Sequence, residues 1–152
     1  MSVLSALWSN QILWTSLLAW ILAQIAKIVI NFFLEKKWDF DLLTSSGGFP
    51  SSHTAIVCAL AIGIGQAEGW NSSLFAIAVA LAVIVMYDAA GVRRATGNHA
   101  RIINHLVEWM RQHPTDFLGY NIQEERFKEL IGHTPFEVFG GAILGCAIGL
   151  IF

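Results

Sequence analysis

Long runs of apolar residues constrain this chain more than any other feature. Residues 11–34 form the first, residues 50–67 the second, residues 73–88 the third and residues 135–152 the last. The first is long enough to span a bilayer as a helix, and the third and fourth lie near the short limit for doing so. Short spans tilt little or sit in a locally thin membrane. Charged residues make up 13% of the chain, against about 25% in soluble domains, and mean hydropathy is +0.58. The expectation is an all-α, polytopic membrane helix bundle with about four transmembrane helices, residues 1–152 forming one integral membrane domain.

Composition excludes other classes. A net charge of −2 with no basic stripe gives no case for nucleic acid. Cys58 and Cys146 both lie inside apolar runs and read as small buried hydrophobes, not as a metal pair or a disulfide framework. The N-terminus has no signal-peptide pattern. No repeat, low-complexity tract or linker is evident.

The polar segments carry the information. Gln24, Lys27 and Asn31 share one face of the first helix by their spacing. Polar groups within a span are costly unless they face protein or water, so that face is expected to look into the bundle; the alternative for Lys27 is snorkelling to the interface. A loop over 35–49 follows, and the short turn over 67–72 carries the interfacial Trp70. The longest polar segment is 89–134. Within it His99 to Arg111 has the spacing of an amphipathic helix, with Ile102, Ile103, Leu106, Trp109 and Met110 as its apolar positions. Such a helix suits the membrane surface or the floor of the bundle. Residues 124–131 form a further short helix in this reading. His99, His105 and His113 are solvated or interfacial, and their spacing fits no helical metal face, so no metal is assigned.

Gly47-Gly48-Phe49-Pro50-Ser51-Ser52-His53-Thr54 reads as a loop feeding the first turn of the second helix. Unpaired N–H groups and the positive end of the helix dipole make such a turn a natural anion site. The plainer reading is a capped helix start under a glycine turn. His133 and Glu137 are four residues apart and stack on one helix face. A carboxylate there can accept the proton on one imidazole nitrogen and leave the other as an attacking lone pair. The plainer reading here is a glutamate favouring the helix dipole beside a loop histidine. Arg93 and Arg94 have the guanidinium forks that match phosphate oxygens, or act only as anchors past a span; Asp88 can pair one of them.

Counting crossings puts these groups together. Lys27, His53, Arg93, Arg94, His133 and Glu137 all fall on the side of the two long loops. That side also carries Lys36, Lys37, Arg101, Arg111, Arg126 and Lys128, while the opposite loop and the N-terminal tail carry no Lys or Arg. The positive-inside rule therefore predicts a cytoplasmic site.

These residues resemble a family. Pro50-Ser51-Ser52-His53 is similar to the Pro-Ser-Gly-His motif of the type-2 phosphatidic acid phosphatases, relatives of the vanadium haloperoxidases. His133-Thr134-Pro135-Phe136-Glu137-Val138 is similar to that family's His-x-Pro-x-Asp-Val segment, with Glu in place of Asp. Val92-Arg93-Arg94 resembles the Ser-Arg that lies just before that histidine, here set apart from it by an insertion. The whole chain looks most like the divergent, small membrane branch, which shares Gly-Gly-Phe-Pro-Ser-Ser-His, Asp-x-x-Gly-Val-Arg-Arg and Gly-His-Thr-Pro. The first family motif is incomplete: Lys27 has no Arg-Pro downstream. One phosphate ligand is thus missing or replaced by the extra arginine, Lys36 or Lys37.

The resemblance implies a phosphomonoester hydrolase working through a phosphohistidine. His133 would be the nucleophile, Glu137 its orienting group and His53 the general acid. Lys27, Arg93, Arg94, Gly48, Ser51 and Ser52 would hold the phosphate, with Asp88 and Asn31 in support. It implies no metal and no cofactor. A site at membrane level favours a lipid phosphate such as phosphatidylglycerophosphate or phosphatidate as substrate, with the bilayer as the other partner. Two further readings stand beside this one: a head-group-binding membrane protein without turnover, and a small transport or structural subunit.

Overall fold

The computed structural model describes residues 2–38, 42, 47–112 and 132–152, apart from the side chain of Arg93. These residues form six helices and no strand: α1 (Val3–Trp8), α2 (Gln11–Glu35), α3 (Ser52–Glu68), α4 (Ser73–Ala90), α5 (Val92–Gln112) and α6 (Pro135–Ile151). The apolar runs became α2, α3, α4 and α6 with ends within about two residues of the expected ones, which is the usual latitude of helix boundaries. The α2 and α4 segments are long and apolar enough to cross a membrane; α6 is apolar but shorter. The short N-terminal α1 was not expected from the sequence. The expected helix over 124–131 lies outside the described residues.

Helix starts follow ordinary capping chemistry. Asn10, Ser51, Ser72 and Thr134 each accept a backbone N–H from three residues on. Pro50 therefore precedes the cap and does not open α3, because the hydroxyl of Ser51 sets the first turn. Gly91, with ψ of −84°, separates α4 from α5. The expected amphipathic helix is longer than its apolar pattern suggested and begins directly after this break.

The centre of the molecule is α3, packed against α2, α4 and α6. The core is built from small residues, Ala19, Ala23, Ala55 and Ala59 with Ile148. Large side chains point outward instead: Ile21, Ile25 and Phe33 on α2, Ile77 and Ile84 on α4, Phe139 and Ile143 on α6. This inverts a water-soluble protein. In lipid, apolar surface gains nothing by hiding, and helices associate by close backbone approach.

The closest approach is between α3 and α6. A methyl group on Gly141 would fall on the carbonyl oxygen of Ser51, and one on Gly145 on that of Ala55. Gly149 continues the stripe against Ile62. Cys58 and Cys146 are free thiols within this half of the bundle. The stripe sets the spacing of α3 and α6, and both helices carry site residues at their N-terminal ends.

Candidate functional site

The starts of α3 and α6 are tied together by backbone. Ser51 N–H donates to the carbonyl of Glu137 at 2.9 Å, and His133 N–H donates to the carbonyl of Ala89 at the end of α4, also at 2.9 Å. Three helix ends therefore meet at His133, whose side chain is 1% exposed.

Glu137 has two tasks. It is the third residue of a capping box, accepting the Thr134 N–H at 2.9 Å while its own N–H goes to the Thr134 hydroxyl. The same Oε2 lies 3.1 Å from His133 Nδ1. One oxygen of this glutamate thus serves both the helix start and the histidine ring. His133 Nε2 is buried and has no hydrogen-bond partner among the described residues. An acceptor on Nδ1 places the ring proton there and leaves a lone pair on Nε2. Burial pushes the His133 pKa below its ordinary value of 6.5, against the raising influence of the hydrogen bond to Glu137.

Lys27 is not snorkelling. It is 2% exposed, and its ammonium lies 3.4 Å from the Ser52 hydroxyl. It also acts electrostatically on both His133 and Glu137. Gln24 is buried on the same face of α2, while Asn31 is half-buried one turn on. Ser51 is fully buried, but its hydroxyl receives Thr54 N–H and Thr54 Oγ1, so it serves the helix start and is not among the residues lining the cavity below.

A cavity of about 280 Å³ opens beside His133. It is lined by Gly47, Gly48, Gly132, His133, Thr134 and Glu137 on one side, and by Arg94, Gly97, Asn98 and Arg101 of α5 on the other. Gly48 and Gly132 have φ of +94° and +99°, a region that disfavours side chains with Cβ. Both chain segments thus approach the cavity as bare backbone. His53 faces His133 with ring centroids 6.1 Å apart. It also borders a second, 230 Å³ cavity together with Asp88, Ile84, Val85 and Ala89.

The structure thus brings His133, Glu137, Gly48 and Arg94 to one cavity, with Lys27, Ser52 and His53 around the histidine. Asp88 lies on the His53 side. Arg93 opens α5, and its side chain lies outside the described residues. Lys36 is exposed, with its ammonium 5.9 Å from the Phe33 ring centroid, and Lys37 is exposed beside it. Sequence reasoning missed Asn98 and Arg101 as lining residues, having counted Arg101 only as a topology charge. Spacing held the signal: Arg94, Asn98 and Arg101 recur at the interval of a single helix face.

A family model described as "Divergent PAP2 family" matches residues 8–148. The chain is 41% identical over 148 residues to "Uncharacterized membrane protein YuiD" of Bacillus subtilis (strain 168), covering 94% of each chain. No solved structure matches it significantly.

Proposed function

The chain belongs to the divergent PAP2 family, and on that footing we propose that it is a membrane lipid-phosphate phosphatase that works through a phosphohistidine. The observation that carries this reading is the buried His133, with Nδ1 on Glu137 and Nε2 unpartnered among the described residues, beside a cavity lined by arginine. A buried polar atom without a partner is costly. At the edge of a cationic cavity, an in-line attack on phosphorus gives it a use.

Two steps follow. The Nε2 lone pair attacks phosphorus, the P–O ester bond breaks, and His53 in its protonated form gives a proton to the leaving alkoxide. Water then attacks the phosphohistidine and gives its proton to His53, the P–N bond breaks, and inorganic phosphate leaves. The Nδ1 proton stays on the ring throughout, donated to the Glu137 carboxylate. Arg94 and Lys27 offset the charge on the equatorial oxygens, and Arg101 adds positive charge that draws the phosphate into the cavity, so side chains supply the cations that the incomplete first motif lacks. Arg93 belongs to the same set by its place in the family motif.

Substrate class follows from level. The cavity lies at the helix ends, where a head group can enter while acyl chains stay in lipid; phosphatidylglycerophosphate and phosphatidate are candidates. We place α2, α3, α4 and α6 across the membrane, with the cavity on the cytoplasmic side where Lys and Arg gather. The α3 and α6 segments, at 17 residues each, are at the short end for a span.

The test is to quench a turnover of ³²P-labelled lipid phosphate with base, which preserves phosphohistidine, and to map the labelled peptide. Label on His133 and loss of activity in His133→Ala are expected. Label on His53, or full activity in His133→Ala, overturns the assignment. Phosphate binding without hydrolysis would mark a head-group-binding protein. Cysteine labelling of Lys37→Cys and Arg101→Cys checks topology; both should react from one side.

A further inference from the structure

α5 has two faces that the proposed chemistry uses unequally. Arg94, Gly97, Asn98 and Arg101 line the cavity. From Ile102 on, the exposed large apolar residues fall on another arc; Ile102, Leu106 and Trp109 centre roughly 100° around the axis from the cavity residues, at 100° per residue. Ile102 is 65% exposed, Leu106 53% and Trp109 47%, with Ile103 beside them. A helix side this apolar is not left to water without a partner.

We propose that α5 lies in the headgroup layer of an anionic bilayer leaflet, its Ile102–Leu106–Trp109 face sunk toward the acyl chains and the adjoining face forming the cavity wall. Three observations select a lipid surface over a protein partner. The apolar arc continues an already apolar exterior, since α4 exposes Ile77, Leu81, Ile84 and Tyr87 and the break at Gly91 is followed by the exposed Val92. The charge is complementary: α5 carries Arg93, Arg94, Arg101 and Arg111 against Glu108 alone. And the strong segregation of polar from apolar residues, with aromatic and basic side chains at the boundary, is the pattern of helices that lie in an interface. Bilayer contact would then fix the wall that carries Arg94 and Arg101, so a lipid head group and its phosphate meet the cavity at the depth where they already lie.

This placement does not require turnover. The full chain, with Cys58 and Cys146 changed to Ala, is reconstituted in phosphatidylcholine vesicles with and without phosphatidylglycerol. An environment-sensitive fluorophore is attached at Leu106→Cys or, on the other arc, at His105→Cys. Doxyl-labelled acyl chains should quench the label at 106 much more than the label at 105, and the difference should grow with the anionic fraction. Equal quenching overturns the proposal. So does cross-linking between labelled copies at 106 with loss of lipid quenching, which would mark a second copy as the occupant. A paired Ile102→Asp/Leu106→Asp variant should lose hydrolysis of a long-chain lipid phosphate and keep that of a soluble aryl phosphate; equal loss on both counts against the coupling. If the unsubstituted chain hydrolyses neither, the phosphatase reading fails while the quenching result still decides where α5 lies.

Discussion

The cavity has a packed wall and an open wall. On the packed side, α3 and α6 meet through glycine and backbone, and His133, Ser51 and Ser52 are at most 1% exposed. On the open side, α5 contributes Arg94, Asn98 and Arg101, all exposed. The packed wall holds the groups that the proposed chemistry needs at a fixed angle, His133 as nucleophile and Glu137 as its orienting carboxylate. The open wall holds charges, which act over several ångströms and tolerate movement. Substitutions should therefore cost steeply on the first wall and gradually on the second.

Glu137→Gln should have the largest effect. The amide keeps the size but can donate to Nδ1, which puts the ring proton on Nε2 and removes the attacking lone pair. The corresponding change in a Ser-His-Asp triad costs about 10⁴-fold, and a loss of that order in kcat is expected here. Glu137→Asp keeps the charge with a shorter reach and should be milder. The variant also has a pH signature. Attack needs neutral His133, so activity should fall on acidification through a pKa below 6.5, since burial lowers it. Glu137 opposes that lowering, so residual activity in Glu137→Gln should have its acid limb at lower pH. An unmoved limb would mean that another group titrates. The same shift bears on stability. The folded state binds this proton less readily than the unfolded chain, so His133 costs no stability well above pH 6.5 and makes the fold weaker as pH falls below it.

Gly145→Ala comes next. The added methyl meets the carbonyl of Ala55 and not a flexible side chain, so the two helices must separate. Overpacking of this kind costs about 1–3 kcal/mol, sometimes more. A lower thermal midpoint in detergent is expected, together with reduced activity as the starts of α3 and α6 move apart. An unchanged midpoint would show that the seam has slack and that the rigid wall is not rigid.

Much of the packed wall was legible in the sequence because its signals are local. His133 and Glu137 are one helical turn apart, Ser51 is a cap at an abrupt change in hydropathy, and apolar run lengths set the helices within narrow limits. Lys27 was legible by face but not by partner, because periodicity says which way a side chain points and not what it meets across the bundle. The glycine stripe of α6 looked like composition until the structure showed carbonyls where methyl groups would go. The open wall was least legible. Arg101 lies far from His133 in sequence, and positive charge beside a span serves topology as readily as binding. Only the bend at Gly91, which brings α5 to the cavity, separates the two uses.

Arg101→Ala should have the smallest effect and is the sharpest test of the comparison. The guanidinium is exposed and solvent-screened, so it is expected to be worth about 1 kcal/mol, roughly fivefold in affinity at 1.4 kcal/mol per tenfold. It touches the cavity from the tolerant side, so the loss should appear in KM for the lipid phosphate with kcat nearly unchanged. Higher salt should narrow the gap between variant and parent, because exposed charges are screened over about 8–10 Å at physiological strength. Arg101→Lys keeps the charge without the planar fork and should recover most of the lost affinity if the open wall works by charge alone. A kcat loss approaching that of Glu137→Gln would mean that Arg101 meets the phosphorus oxygens at a fixed angle in the transition state. The division into a rigid wall and a tolerant one would then be wrong, and α5 would have to close against α6 during turnover.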